Sequence, residues 1–155
     1  MVRIVRNTSL LDKLEKEIKY LQNHGVIVGI FGKNAAKTQH GVTIGYYATR
    51  LNEGTILMEK KPFFYETTGN KESQAIIKKK QKELLKQVYS GEITGKQCLM
   101  QLGIFVSQRV KNKIMNNDYK NSPQRIKQKK RNKYNTLREN DFMLNAVSFE
   151  IITLK

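Results

Sequence analysis

Residues 46–67, YYATRLNEGTILMEKKPFFYET, decide how the chain is read. Tyr46-Tyr47, Ala48 and Leu51 fit one or two helical turns, and Gly54 closes them in the left-handed conformation that glycine adopts without a Cβ penalty. Ile56, Leu57 and Met58 then form a short extended apolar run. Pro62 sits where a helix begins, because the N–H it lacks has no intrahelical partner there. Phe63 and Phe64 follow at the first turn, and two adjacent aromatics bury enough apolar surface to pin that helix to the body.

Upstream, Thr8 or Ser9 can cap a helix whose Leu10, Leu11, Leu14, Ile18 and Leu21 recur at helical spacing, giving one packed face that ends near Gly25. Val26–Phe31 is a β-branched and aromatic run, hence a buried strand. Residues 32–41, GKNAAKTQHG, are polar and small and read as the loop of a long hairpin returning through Val42-Thr43-Ile44. Gly29, Gly32 and Lys33, with Lys37-Thr38 beyond, fail as a phosphate loop, which needs glycine directly before the lysine and Ser/Thr after it.

Downstream, the helix from Pro62 is weakened at Thr67-Thr68-Gly69-Asn70. It resumes with Ala75, Ile76, Leu84, Leu85 and Val88 beside a dense lysine face. Thr94 can cap a further helix, with Cys98, Leu99, Leu102, Phe105, Val106, Val110 and Ile114 on one stripe. Gly103 interrupts that stripe and predicts a close backbone approach, the preceding helix being one partner, since a mid-helix glycine otherwise costs about 1 kcal/mol. Phe142–Val147 reads as a short helix running into a terminal strand over Phe149–Leu154. The fold class is therefore α+β: a small, mostly antiparallel sheet with a long hairpin, packed against about three α-helices. One domain spans 1–155, with an N-terminal arm at 1–7, the hairpin loop at 32–41 and a basic loop at 116–135.

The formal net charge is +16, and its placement is informative. Residues 71–139 carry eighteen Lys/Arg against five Asp/Glu, a balance of +13, so the excess lies in the second half. Such a field attracts polyanions unless it is simply solvated. No apolar run reaches the roughly 20 residues that cross a bilayer, and MVRIVRNTS lacks a signal core, which predicts a soluble, unexported chain without membrane contact. The single Cys98 excludes an intrachain disulfide and reads as a small core residue. His24 and His40 have no metal-ligand spacing to a carboxylate pair, so neither a catalytic centre, a metal site nor a cofactor is expected.

The order Tyr47-Ala48, Asn52-Glu53-Gly54-Thr55, Lys61-Pro62-Phe63-Phe64 and Thr67 resembles the tail-component family of tailed bacteriophages. Lys61 stands where that family usually has arginine, the turn lacks one residue before its glycine, and Glu139-Asn140 replaces a threonine-glycine pair. Leu102-Gly103, Asn121-Ser122-Pro123 and Ser148-Phe149-Glu150 match in the family's order, so the resemblance runs from Leu10 to Leu154. It implies a structural virion protein of the neck or head-proximal tail. Such a protein is a homo-oligomeric ring, hexameric or dodecameric, between a connector or stopper and a tail terminator or tail tube. The assembly candidates it implies are Lys33, Lys37 and His40 at the loop tip, with Tyr47, Asn52, Glu53, Lys61, Phe63 and Phe64 at the corner. Glu53 is expected to bond backbone donors or a cation of a neighbouring subunit. Arg125, Lys127, Lys129, Lys130, Arg131 and Lys133 face the DNA channel or an acidic partner on the same reading. The alternative is a basic single-domain nucleic-acid-binding protein, with the same residues on phosphates and Tyr119 and Tyr134 as stacking candidates.

Overall fold

The computed structural model describes residues 8–39, 41–56, 58–121, 126–127, 137 and 141–155. Helix α1 (Thr8–Asn23) runs without a loop into strand β1 (His24–Ile30). β1 pairs antiparallel with β4 (Val147–Thr153), from His24 opposite Thr153 to Ile30 opposite Val147. The two ends of the chain thus form one sheet. Its helix-covered face carries Val26, Val28, Ile30, Phe149 and Ile151, and the other face carries Gly25, Ile27, Gly29 and Glu150.

Helix α5 (Gly95–Met115) lies against both strands and also meets α1, α4 (Lys71–Tyr89) and α6 (Phe142–Ala146). Its stripe is buried as the spacing predicts, from Cys98 through Leu102, Val106 and Val110 to Ile114. Thr94 and Gln97 form a reciprocal capping box at its start. The Gly95 N–H there donates to Glu17 of α1, placing a carboxylate at the positive end of the helix dipole. Gly103 makes room for Phe149 of β4: a Cβ at 103 would lie 2.3 Å from its Cδ2. The close approach is to the sheet, and the preceding helix is not the partner.

Two apolar clusters result. One joins α3 (Ile44–Glu53) and Phe63 to Val110, Ile114, Met143 and Val147; the other joins Leu84 and Val88 of α4 to Cys98, Leu102 and Val106 of α5, and Val28 packs against both. Cys98 is a core residue, its thiol pushed up from its ordinary pKa by burial. Helix α1 is held on less: Leu10 and Leu11 are 60 % and 62 % exposed, so the expected packed face begins only at Leu14 and continues with Ile18 and Leu21, all half-buried.

Three expectations need correction. The long hairpin does not form: residues 32–41 begin with a short helix α2 (Gly32–Ala36), and Val42–Thr43 (β3) pairs only with Thr38–Gln39 (β2). Two residues before the α3 cap cannot compete with the seven-residue apolar β4 for the β1 ladder. The apolar run does not continue as extended chain: Thr55 and Met58 close on each other, Thr55 N–H to Met58 O at 2.9 Å and the reverse bond at 3.1 Å, with Ile56 fully exposed, while Leu57 lies outside the described residues. The helix after Pro62 does not continue; it widens into a π-helical turn (Tyr65–Gly69) and stops, and Asn70 caps α4 afresh through Ser73 N–H at 2.7 Å. The left-handed residue before α6 is Asp141, at φ 56°, and the neighbouring Asn140 lies outside the described residues.

Candidate functional site

The residues that carry the family resemblance meet in one corner. Thr43 caps α3 by accepting from Tyr46 N–H, and the helix ends at Gly54, whose N–H reaches Arg50 O at 2.9 Å. Gly54 sits at φ 79°, ψ 177°, not the left-handed helical well but a region essentially reserved for glycine. A Cβ there would also press on Lys60 N at 3.0 Å, so the turn back toward Pro62 needs this residue twice over. The chain then returns along α3: Lys61 N–H donates to Leu51 O at 2.8 Å, and Phe64 N–H to Asn52 Oδ1 at 3.1 Å. Asn52 thus satisfies a donor that the first helical turn leaves unpaired. Phe63 is fully buried against the α3 cluster and lies with its ring centre 4.8 Å from that of Phe64.

The π turn that follows frees backbone carbonyls, and the threonines take them up. Thr67 Oγ1 donates to Phe63 O at 2.7 Å, Thr68 Oγ1 to Phe64 O at 2.7 Å, and Ser73 Oγ to Glu66 O at 2.6 Å. The polar Thr67-Thr68-Gly69-Asn70 stretch is therefore a built junction.

The corner abuts a second polar cluster at the end of α5. Lys113 Nζ lies 2.7 Å from the Glu66 carboxylate and 3.3 Å from Asp118, and 5.0 Å from the Tyr119 ring centre. The Glu66 hydrogen bond is the main reason the Lys113 ammonium is held above its ordinary pKa. Asp118 is lowered by a hydrogen bond from its own backbone and then by Lys113. Tyr119 is pushed far up by burial and by the nearby Glu66 carboxylate, although its Oη, buried, has no hydrogen-bond partner in acceptable geometry. Both upward shifts have one consequence for pH. The contributions of Lys113 and Tyr119 are complete below their ordinary values near 10 and fade as pH rises above them. Tyr119→Phe removes an unsatisfied hydroxyl and should raise stability by about 1 kcal/mol at neutral pH. It should also flatten the loss between neutral and strongly alkaline pH. Thermal melts at both pH values check this, and a lowered midpoint would show that the hydroxyl has a partner.

The expected interface residues fall into three groups. Lys33, Lys37 and Glu53 are exposed, and Tyr47, Lys61 and Phe64 are half-buried, with Tyr47 and Phe64 packed on the core. Phe63 is inaccessible and acts only through the shape of the corner. Glu53 bonds no backbone donor; Asn52 has that duty, and the Glu53 carboxylate has no partner among the described residues. Lys127 is exposed in the helical pair 126–127, while His40, Arg125, Lys129, Lys130, Arg131, Lys133 and Tyr134 lie outside the described residues. The half-buried Tyr119 is covered by Lys113 and packs against the core, which leaves it no open face for a base.

Sequence reasoning missed two features. The corner exposes Tyr46, Ile56 and Tyr65, which a stripe-based reading assigns to the interior. A groove of about 420 Å3 also runs between β1 and α3, with Val28, Ile30, Gly45, Thr49, Glu53 and Phe64 on its walls. Small residues at helical spacing, Gly45, Ala48, Thr49 and Asn52, were the available signal. Among the described residues no three His, Cys, Asp or Glu gather as metal ligands, and no helix is long and apolar enough to cross a membrane. Comparison of the chain with protein-family models, with curated proteins and with solved structures finds no match.

Proposed function

We propose that the chain is a structural virion protein of a tailed phage. It forms a ring in the neck or head-proximal tail that joins the head connector to a tail terminator or tail tube, and it is not an enzyme. The observation that carries this reading is the corner. Residues Tyr47 to Thr67, which resemble the tail-component family, act as one unit in which Asn52, Gly54, Pro62 and Phe63 each have a geometric duty. A shared motif whose members interlock supports a shared fold more strongly than scattered identities do. Tyr46, Ile56 and Tyr65, exposed beside it, suit contact with neighbouring subunits. A ring requires a head-to-tail interface in which opposite faces of one subunit complement each other.

A second reading, nucleic-acid binding, is favoured by α4. Lys71, Lys78, Lys82 and Lys86 follow one another at spacings of seven, four and four and are exposed, with Lys79 beside them. That is a stripe able to track a phosphate backbone. Light scattering at low and high salt, with and without a non-specific duplex, separates the two. Six copies of the 18.0 kDa chain have a mass near 108 kDa. An assembly of that size or twice it, indifferent to duplex at physiological salt, is the expected result. A monomer that binds DNA tightly, with affinity falling steeply as salt rises, would replace the ring reading.

A further inference from the structure

The sheet has two strands, and β1 leaves one edge open. The bond from Leu154 N–H to Asn23 O at 2.8 Å marks Asn23 and Leu154 as a hydrogen-bonded pair. Alternation along an antiparallel ladder then puts Gly25, Ile27 and Gly29 in bonding pairs with β4. The N–H and C=O groups of Val26, Val28 and Ile30 turn outward. None of these outward groups has a partner among the described residues. Those of Val28 and Ile30 open into the groove against α3. Edge strands that are meant to stay unpaired carry lysine, proline or a bulge. In this chain, where 29 residues are Lys or Arg, β1 reads HGVIVGI, with no Lys, Arg, Asp, Glu or proline. The opposite wall is cut back to Gly45, Ala48 and Thr49, and among the described residues Glu53 is the one charged side chain lining the groove.

We infer that this groove takes an extended segment of a second copy of the chain by β-addition, and that the segment is Met1–Asn7, MVRIVRN. This choice of occupant rests on the ring reading. This segment sets three β-branched residues (Val2, Ile4, Val5) among two cations (Arg3, Arg6) with no acid, whereas the equally acid-free stretch 124–136 holds one aliphatic residue, Ile126, among six cations. Main-chain bonds to Val28 and Ile30 supply the affinity and an arginine meets Glu53. The segment leaves from the exposed first turns of α1, where Leu10 and Leu11 pack on little of their own chain, which suits an arm that docks on a neighbour.

The test uses full-length chains. Thr49 is exposed and Cys98 is buried, so Thr49→Cys in one copy and Ile4→Cys in a differently tagged copy are the only reactive thiols. Oxidation of the mixture is expected to give a disulfide-linked heterodimer. Thr49→Trp, which fills the groove, and deletion of residues 1–7 should each raise the concentration needed for assembly at least tenfold while circular dichroism stays unchanged. Wild-type rings that tolerate both changes and give no cross-link overturn the inference and leave the ring reading standing. A wild-type monomer whose two cysteine variants still cross-link between copies when concentrated keeps the inference and removes the ring. A link that forms only within one Ile4→Cys/Thr49→Cys chain shows that the arm folds back on itself and overturns the choice of a second copy.

Discussion

Gly103→Ala is expected to destabilise the domain by about 2 kcal/mol, although the same change in an ordinary helix interior stabilises. Alanine should gain about 1 kcal/mol from helix propensity. Against this, its methyl group would sit 2.3 Å from Cδ2, 2.5 Å from Cγ and 2.9 Å from Cε2 of Phe149. The ring cannot simply swing clear, because Phe149 is fixed in the ladder opposite Val28 and lies between the sheet and α5. Overpacking of this kind costs up to about 3 kcal/mol, which leaves a net loss of about 2. For a domain of this size that lowers the thermal midpoint by roughly 4–8 °C. The decisive control is the same substitution in a Phe149→Ala background. With the ring gone, alanine at 103 should become stabilising by about 1 kcal/mol, giving a coupling of about 3 kcal/mol in the cycle. Additive effects would mean that position 103 does not meet the sheet.

That contact shows where the sequence was legible and where it stopped being so. A glycine inside an apolar helical stripe announces a close neighbour, and the stripe itself predicted which face of α5 is buried. The α+β class, the Thr94 cap, the core position of Cys98 and the helix-to-strand end of the chain were all readable from local pattern, because each is decided within a few residues. The identity of the Gly103 neighbour was not readable. Strand β1 pairs with a strand more than a hundred residues away, and nothing in HGVIVGI distinguishes VSFEIIT from a nearer partner. Local reasoning therefore chose the nearer candidate, Val42–Thr43, and drew a hairpin that does not exist. The corner was read more fully, since Pro62 and the adjacent phenylalanines fix a helix start by themselves. Of the two duties expected of Glu53, the bond to a backbone donor falls to Asn52, which caps the returning chain, and Glu53 is left exposed. Asparagine and glutamate both accept hydrogen bonds, and only the register of α3 against Phe64 decides which one does. The β1–α3 groove is easily passed over because its signal is an absence, the missing bulk at Gly45, Ala48 and Thr49 and the missing charge along β1.

Phe63→Ala should be the most damaging single change in the corner. Phe63 is 0 % exposed and packs within the cluster of Ile44, Leu51, Val110 and Ile114, so it ties α3 and the π turn to the central helix. Truncation removes the transfer energy of the ring and leaves a cavity among side chains carried by several elements, which cannot all collapse into it. Such changes cost about 3–5 kcal/mol, a large part of a total stability of about 5–15 kcal/mol. The thermal midpoint should fall by roughly 6–20 °C. The neighbouring Phe64, half-buried, should lose clearly less on the same truncation, which separates burial from mere aromatic content. Phe63→Leu, which keeps much of the volume, should recover more than half of the loss. The damage should also be local before it is global. Phe64 N–H is held only by Asn52 across the corner, so its hydrogen exchange should quicken in Phe63→Ala well below the unfolding transition, while amides in the middle of α5 stay protected. Equal acceleration at both places would mean that the corner opens only with the whole domain. A loss under 1 kcal/mol would mean that Phe63 is not the anchor its burial indicates. If the corner does open first, the ring assembly proposed for this chain should fail at temperatures where the domain is still folded, because the exposed Tyr46, Ile56 and Tyr65 are positioned by the same turn that Phe63 holds closed.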